Sequence, residues 1–327
     1  MRREPESTQA FTKIYSALRC SYRWHRGRLS RIVFGQALVR NAVVPNPSSK
    51  PEILIRDLES IADLQLALDL EKLTWEADDR DVTPLAFAIA ARAAGAMWIG
   101  AFDKAQLVGF AFAIPSLEHG RTAFHSHMLG VRPSHRGMSI GYRLKLAQRQ
   151  KALAIGIKEI TWTFDPLRAR NAHLNFCRLG VISNDYRVDF YGAHTSSPLH
   201  RNGTDRLWVT WHLADQRIES RLRGKDVRLE NLDSLAHLEP LISFNGDGRP
   251  AMSDLLQALA RQRIAIEIPG DMGRIETENE DLAREWRLVT RSAFTESLRA
   301  GFVVKEFVRS VRGQQGPGAY LLEKAES

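Results

Sequence analysis

HSHMLGVRPSHRGMSIG, residues 125–141, is the stretch that decides the fold. Its first half alternates as a strand does: His125, His127, Leu129 and Val131 are spaced by two, which predicts that all four project from one face of a sheet. Pro133 ends the alternation, and a basic turn, Arg136-Gly137-Met138-Ser139-Ile140-Gly141, opens an amphipathic helix predicted over 136–155. Such a turn gathers backbone N–H groups that lack a partner inside the helix, at the positive end of its dipole. That combination favours a phosphate.

Outward from it the periodicity alternates between two and 3.6. Upstream, it predicts a strand over 52–58, a helix carrying Leu58, Ile61, Leu64, Leu66, Leu68 and Leu70 into Trp75, and a small-residue helix over 85–94. A hairpin of strands 97–102 and 106–114 follows, then the strand 121–131. Downstream come a strand over 157–164, a short helix over 171–179 closed by Gly180, and strands over 181–189 and 206–213. The order is β-α-α-β-β-β-α-β-α-β-β. Residues 215–230, charged and Arg-rich, read as a linker. A helix over 252–262, a strand over 264–268, a helix over 281–300 and strands over 302–308 and 319–322 then repeat the plan of residues 157–213.

The chain has 327 residues, 44% of them apolar, enough for two compact units. Its formal charge of +8 is confined to the start: residues 1–50 hold ten of the 46 Lys and Arg and two of the 38 acids, leaving 36 of each sign for the rest. Residues 1–50 are therefore expected to be a basic extension, followed by domains over 51–214 and 215–327. A neutral body has no field to draw a polyanion, so nucleic acid is disfavoured as a partner. The longest apolar candidate, 85–102, is broken by Arg92, and a membrane span needs about 18 uninterrupted residues. Two cysteines, Cys20 and Cys177, fit a reducing compartment, and a cytoplasmic location is expected.

The strand, the Arg136–Gly141 turn and the helix resemble motif A of the GNAT superfamily of acyl-CoA-dependent N-acyltransferases, with Ser139 where a glycine is usual. Residues 172–181, ending Arg178-Leu179-Gly180-Val181, resemble motif B, with Phe176 where the family often has an acid-donating tyrosine. The phrases HSHMLGV, WTFDPL, NAHLNF, YG and TDRL, in this order, together resemble a bacterial, two-part branch of this superfamily. The resemblance implies a mixed α/β (α+β) sheet flanked by helices, with a second, smaller GNAT-like half at the C-terminus.

It implies acetyl-CoA or another acyl-CoA, succinyl-CoA included, as cosubstrate. Its pyrophosphate falls to Arg136, Gly137, Met138, Ser139, Ile140 and Gly141, and its pantetheine arm to Leu129, Gly130 and Val131, with Asn171 and Asn175 bordering it. No metal is required. Acyl transfer needs a base, since a protonated amine has no lone pair, and imidazole titrates near working pH; His125 and His127 are the candidates, with a core role as the alternative. Phenylalanine cannot donate a proton, so Tyr186 and Tyr191 are the candidate acids, unless the thiolate leaves without help. Trp162 and Asp165 would border the acceptor, and Asp205 with Arg206 could read the ammonium and carboxylate of an amino acid. The expected partner is a small-molecule amine or amino acid, with a homo-oligomer left open. A rival reading is a non-catalytic acyl-CoA-binding or regulatory module, favoured by Ser139 and Phe176.

Overall fold

In a computed structural model of the chain, residues 52–192, 197–224, 238–245, 247–309, 311 and 317–325 are described. The extension 1–50 lies outside them. Strand β1 (Ile53–Asp57) leads to helix α1 (Ile61–Trp75), whose start is fixed by a capping box: Ser60 accepts from the Asp63 N–H and Asp63 accepts from the Ser60 N–H. Helix α2 (Leu85–Ala93) follows, then the meander β2 (Met97–Asp103), β3 (Gln106–Glu118) and β4 (Arg121–Val131). Helix α3 (Ile140–Ala154) and β5 (Glu159–Phe164) come next, then α4, which starts as Ala169–Ala172 and runs on as a π-helix over His173–Leu179. Strands β6 (Ile182–Arg187) and β7 (Arg206–His212) complete the order expected from the sequence.

The expected linker is ordered at its start. Asp215 caps helix α5 (Gln216–Leu222), Ile218 is buried, and Arg221 pairs with Glu306 and the Phe176 carbonyl, so its charges are partly structural. Beyond it lie β8 (Ile242–Phe244), β9 (Pro250–Met252), α6 (Leu255–Leu259), β10 (Arg263–Ile268), α7 (Met272–Glu278), α8 (Glu280–Arg299), β11 (Phe302–Val308) and β12 (Gly318–Lys324).

All twelve strands join one sheet in the order β1-β2-β3-β4-β5-β7-β6-β11-β12-β10-β8-β9. In the first half β7 inserts between β5 and β6; in the second, β12 inserts between β10 and β11. Strand β5 is parallel to β4, and β10 is parallel to β8. The halves meet where β6 and β11 pair antiparallel at Ser183 and Val304, so the repeated plan places the two copies back to back. Tyr320 seals the joint, its ring edge-on to Phe176, Phe294 and Phe307 at 4.8–5.7 Å and its hydroxyl donating to the Pro166 carbonyl at 2.6 Å. No helix among the described residues is long and apolar enough to cross a membrane.

Candidate functional site

The site grows from a defect in the sheet. Met128 of β4 pairs with Phe112 of β3, but His125 pairs with Ile114, so β4 carries one extra residue between them. The bulge reverses the alternation. His125 and His127 keep one face, the second against Phe112, and Met128 joins the core on that same side. Leu129 and Val131 turn to the opposite side, against Ile140 and Leu144 of α3. Strict alternation would have put all four on one face, so that expectation is corrected.

Strands β4 and β5 pair only at Phe124 with Ile160 and at His125 with Thr161. Past that point β4 follows β3 while β5 follows β7, and a wedge opens between them. At its mouth α3 begins. Ser139, its N-cap, is left-handed at φ 58° and makes no capping bond; the first intrahelical bond runs from Arg143 N–H to the Ser139 carbonyl. The N–H groups of Ile140, Gly141 and Tyr142 therefore have no partner within the helix. Gly137, at φ 87°, supplies the turn, and Arg136, Gly137 and Ser139 are exposed around it, Met138 less so. A Cβ on Gly141 would meet Leu129 at 3.5 Å and Leu174 and Val131 at 4.0 Å, while Gly130 has Phe110 across from it at 2.8 Å. Of the two asparagines, Asn171 is exposed and Asn175 is buried, accepting from Trp162 Nε1 at 3.3 Å.

At the apex His125 Nδ1 lies 3.0 Å from Thr161 Oγ1, and Thr161 donates its one hydroxyl proton to Glu118 Oε1, also at 3.0 Å. Thr161 must then accept from His125, which fixes the proton on Nδ1 and leaves a lone pair on Nε2. The imidazole stacks on Trp208 at 4.6 Å. Burial, helped by repulsion from His127, Lys145 and Arg187, lowers its pKa to about 4, so the ring is neutral at pH 7. His127 stands at the mouth, open to solvent on one side and enclosed enough elsewhere to have its pKa lowered by desolvation.

The other expected residues divide by sheet face. Trp162 faces α3, away from His125, in edge contact with Trp211. Asp165 is held by Arg287 and Arg168. Asp205 and Arg206, adjacent in the chain, point to opposite sides and do not form a joint reader. Asp205 is fully buried, accepting from Tyr186, Arg291 and the Asp189 N–H. Arg206 lies on the side of Trp208 and is 7% exposed, donating to the Asp205 carbonyl and to His200 Nε2, both at 2.8 Å, beneath the exposed Tyr191 ring at 5.0 Å. Tyr191 Oη lies 3.4 Å from Thr163 Oγ1, on the His125 side of β5. Phe176 is fully buried against Phe164 and Tyr320.

Residues 61–180 match the sequence profile of the Acetyltransferase (GNAT) family. This segment is a GNAT-family domain. No curated protein matches the chain in sequence. Among solved structures similar to it is the ribosomal-protein-S18-alanine N-acetyltransferase of Escherichia coli, 14% identical, TM-score 0.40, covering 50% of this chain and 96% of its own. Aminoglycoside 6'-acetyltransferase type Ii is 21% identical, TM-score 0.39, covering 50% and 99%. An acetyltransferase of the GNAT family from Streptococcus pneumoniae is 14% identical, TM-score 0.40, covering 49% and 98%. Each spans about half of this chain.

Around the GNAT domain the second half supplies residues the sequence did not single out. Arg287 and Arg291 of α8 reach Asp165, Asp205 and Asp189, and Arg287 also donates to the Asn202 carbonyl, so α8 holds both ends of the β6–β7 connection. Ser197 of that connection donates to the Trp75 carbonyl at the end of α1. Glu118, Thr161 and His200 were equally unforeseen, because only the strand register brings the first two to His125 and only the folded β6–β7 connection brings His200 to Arg206. Lys145 left a signal: with Ile140, Leu144, Gln148 and Ala152 it lies on the buried stripe of α3. Among the described residues no cluster of His, Cys, Asp and Glu could hold a metal.

Proposed function

We propose that this protein transfers an acyl group from acyl-CoA to the amine of a small molecule or amino acid. The observation that carries the reading is the wedge between β4 and β5, with a neutral, oriented imidazole at its apex and an open helix N-terminus at its mouth. The N–H groups of residues 137–142, with Arg136 beside them, suit a pyrophosphate. Leu129 to Val131, freed from β5, offer backbone groups to the pantetheine arm, and a backbone N–H at the bulge would steady the oxyanion. His125 Nε2 takes the amine proton, directly or through water, while Thr161 and Glu118 hold its tautomer. His127 guides the amine in. Acetyl and succinyl donors both fit this scheme.

Arg206 gives the acceptor its class. Among the described residues no carboxylate lies within ion-pair distance of its guanidinium: Asp165, which acts on it from farther off, is already held by Arg287 and Arg168, and its near partners are a carbonyl, a neutral imidazole and a ring face. We assign it to the carboxylate of an amino-acid acceptor, with Tyr191 as the wall above it. Asp165 and Asp205, already paired, serve the scaffold in this reading. Thiol release from acetyl-CoA and succinyl-CoA, measured across amino acids and aromatic amines, tests the proposal: release stimulated by an amine and abolished in His125→Gln supports it. Binding of CoA with no release across that panel supports a non-catalytic acyl-CoA-binding module, to which the buried Phe176 points.

A further inference from the structure

Phe176 leaves the departing thiol without the proton donor its position would supply, and a different side chain stands at the point where the strands part. Lys145, on the sheet-facing stripe of α3, is 2% exposed. Its Nζ donates to Ser126 Oγ at 2.8 Å and lies 3.6 Å above the Trp162 ring. Ser126 follows His125 and Trp162 follows Thr161, so this amine touches both strands one residue past their last pair, on the face opposite the imidazole.

The polar groups around it are donors in excess. Ser126 spends its proton on Gln148 Oε1 at 2.9 Å, Gln148 is fully buried with its Nε2 unpartnered, and no carboxylate among the described residues pairs with Lys145. A buried cluster with unused N–H groups and no spare acceptor is complete only when an acceptor or an anion joins it.

Resting on the acyl-transfer reading, we propose that Lys145 gives its proton to the sulfur that leaves from the helix side of the wedge, with Gln148 as a second donor. The acceptor nitrogen bonds to the thioester carbon, the C–S bond breaks with its electron pair on sulfur, and a Lys145 proton converts that sulfur to the thiol. The amine proton goes to His125 on the other face, and solvent returns the two residues to their starting states. Burial pushes the Lys145 ammonium well below its ordinary pKa, which makes it a readier proton donor than a free lysine.

The test is an ultraviolet titration of the CoA thiol bound to the full chain, in wild type, Lys145→Met and Lys145→Arg. Bound to the wild type, the thiol should ionise at least tenfold more readily at a given pH than in free CoA; Met should abolish that gain and Arg should retain part of it. Turnover should show the same ranking, Met losing about 100-fold in kcat with little change in the acceptor KM. A wild-type complex in which the thiol titrates as in free CoA overturns the proposal whether or not the Met variant folds, as does a folded Met variant that titrates like the wild type. CoA that fails to bind the wild type removes the acyl-transfer reading as well, whereas CoA bound with an unshifted thiol removes only the role of Lys145.

Discussion

Arg287 grips Asp165 with two parallel hydrogen bonds of 2.9 Å, one from each terminal nitrogen, across the joint between the two halves. The guanidinium comes from α8 of the second half and the carboxylate from the end of β5, the strand that borders the wedge. Both side chains are nearly buried, at 4% and 11% exposure. Asp165 also receives Arg168, whose second partner, Glu276, lies on α7. The second half thus fixes the end of the strand on which the first half builds its site.

Removing one member of a buried pair costs more than the pair contributes, because a desolvated charge is left behind. Arg287→Ala should lower unfolding stability by about 3 kcal/mol, since Arg168 still offsets part of the Asp165 charge. Arg287→Met with Asp165→Asn should recover part of that loss. The attraction of Arg287, Arg168 and, from farther off, Arg206 outweighs desolvation and holds the Asp165 carboxyl below the usual carboxylate range. Its contribution to stability is therefore full above about pH 4 and is lost as the pH falls below that value. Urea unfolding of the variants at pH 7 and pH 3 measures both effects, and equal losses at the two values would contradict the ion-pair account.

At Ser139 a non-glycine residue holds a left-handed conformation with no capping bond in return. The strain is about 1–2 kcal/mol, and the extra chain entropy of a glycine about 0.5–1 kcal/mol. The strain is the larger, so Ser139→Gly should stabilise the protein by about 0.5–1 kcal/mol while Ser139→Ala should not. Thermal unfolding of the two variants checks this. Gly137→Ala, forced into φ 87°, should lose stability in the same experiment.

The His125 relay makes an acid-side prediction. With its pKa lowered to about 4, the unfolded chain binds a proton at this position between about pH 6.5 and pH 4 and the folded chain does not. Its contribution to stability should fall as the pH drops through that window, and a His125→Gln variant should show a shallower decline. If His125 is the base, the acid limb of kcat/KM should lie near pH 4. Thr161→Val removes the acceptor that fixes the tautomer and should lower kcat by about 10- to 100-fold with the fold intact.

Periodicity made the strand and helix order legible through β7, and again for β10, α8, β11 and β12, because each of these has a buried face of its own; it passed over α7, seven residues that bury only Met272. It missed β8 and β9, three residues each, which are too short to show a period. The charged segment after β7 read as a linker because Gln216–Leu222 buries only Ile218. Within the site, the turn at Arg136–Gly141 was legible from local composition, and the two histidines from their spacing. The bulge was not, since one extra residue in β4 is visible only against β3. Asp165 and Asp205 looked available because Arg287 and Arg291, which hold them from the second half, lie 122 and 86 residues further along the chain.

Arg206 sets the last prediction. A guanidinium with neutral near partners should hold a carboxylate by two charge-assisted bonds, each worth about 1.5–3 kcal/mol. Arg206→Gln should raise KM for a carboxylate-bearing acceptor by about 10- to 100-fold, while the same amine without its carboxylate should keep its KM. Arg206→Lys should fall between them, because a point charge cannot reproduce the planar fork. Lost stability alone would move both acceptors together. Steady-state kinetics with an amino acid and its decarboxylated counterpart, run in all three proteins, separates the two cases: a parallel change in KM for both amines would return Arg206 to the scaffold.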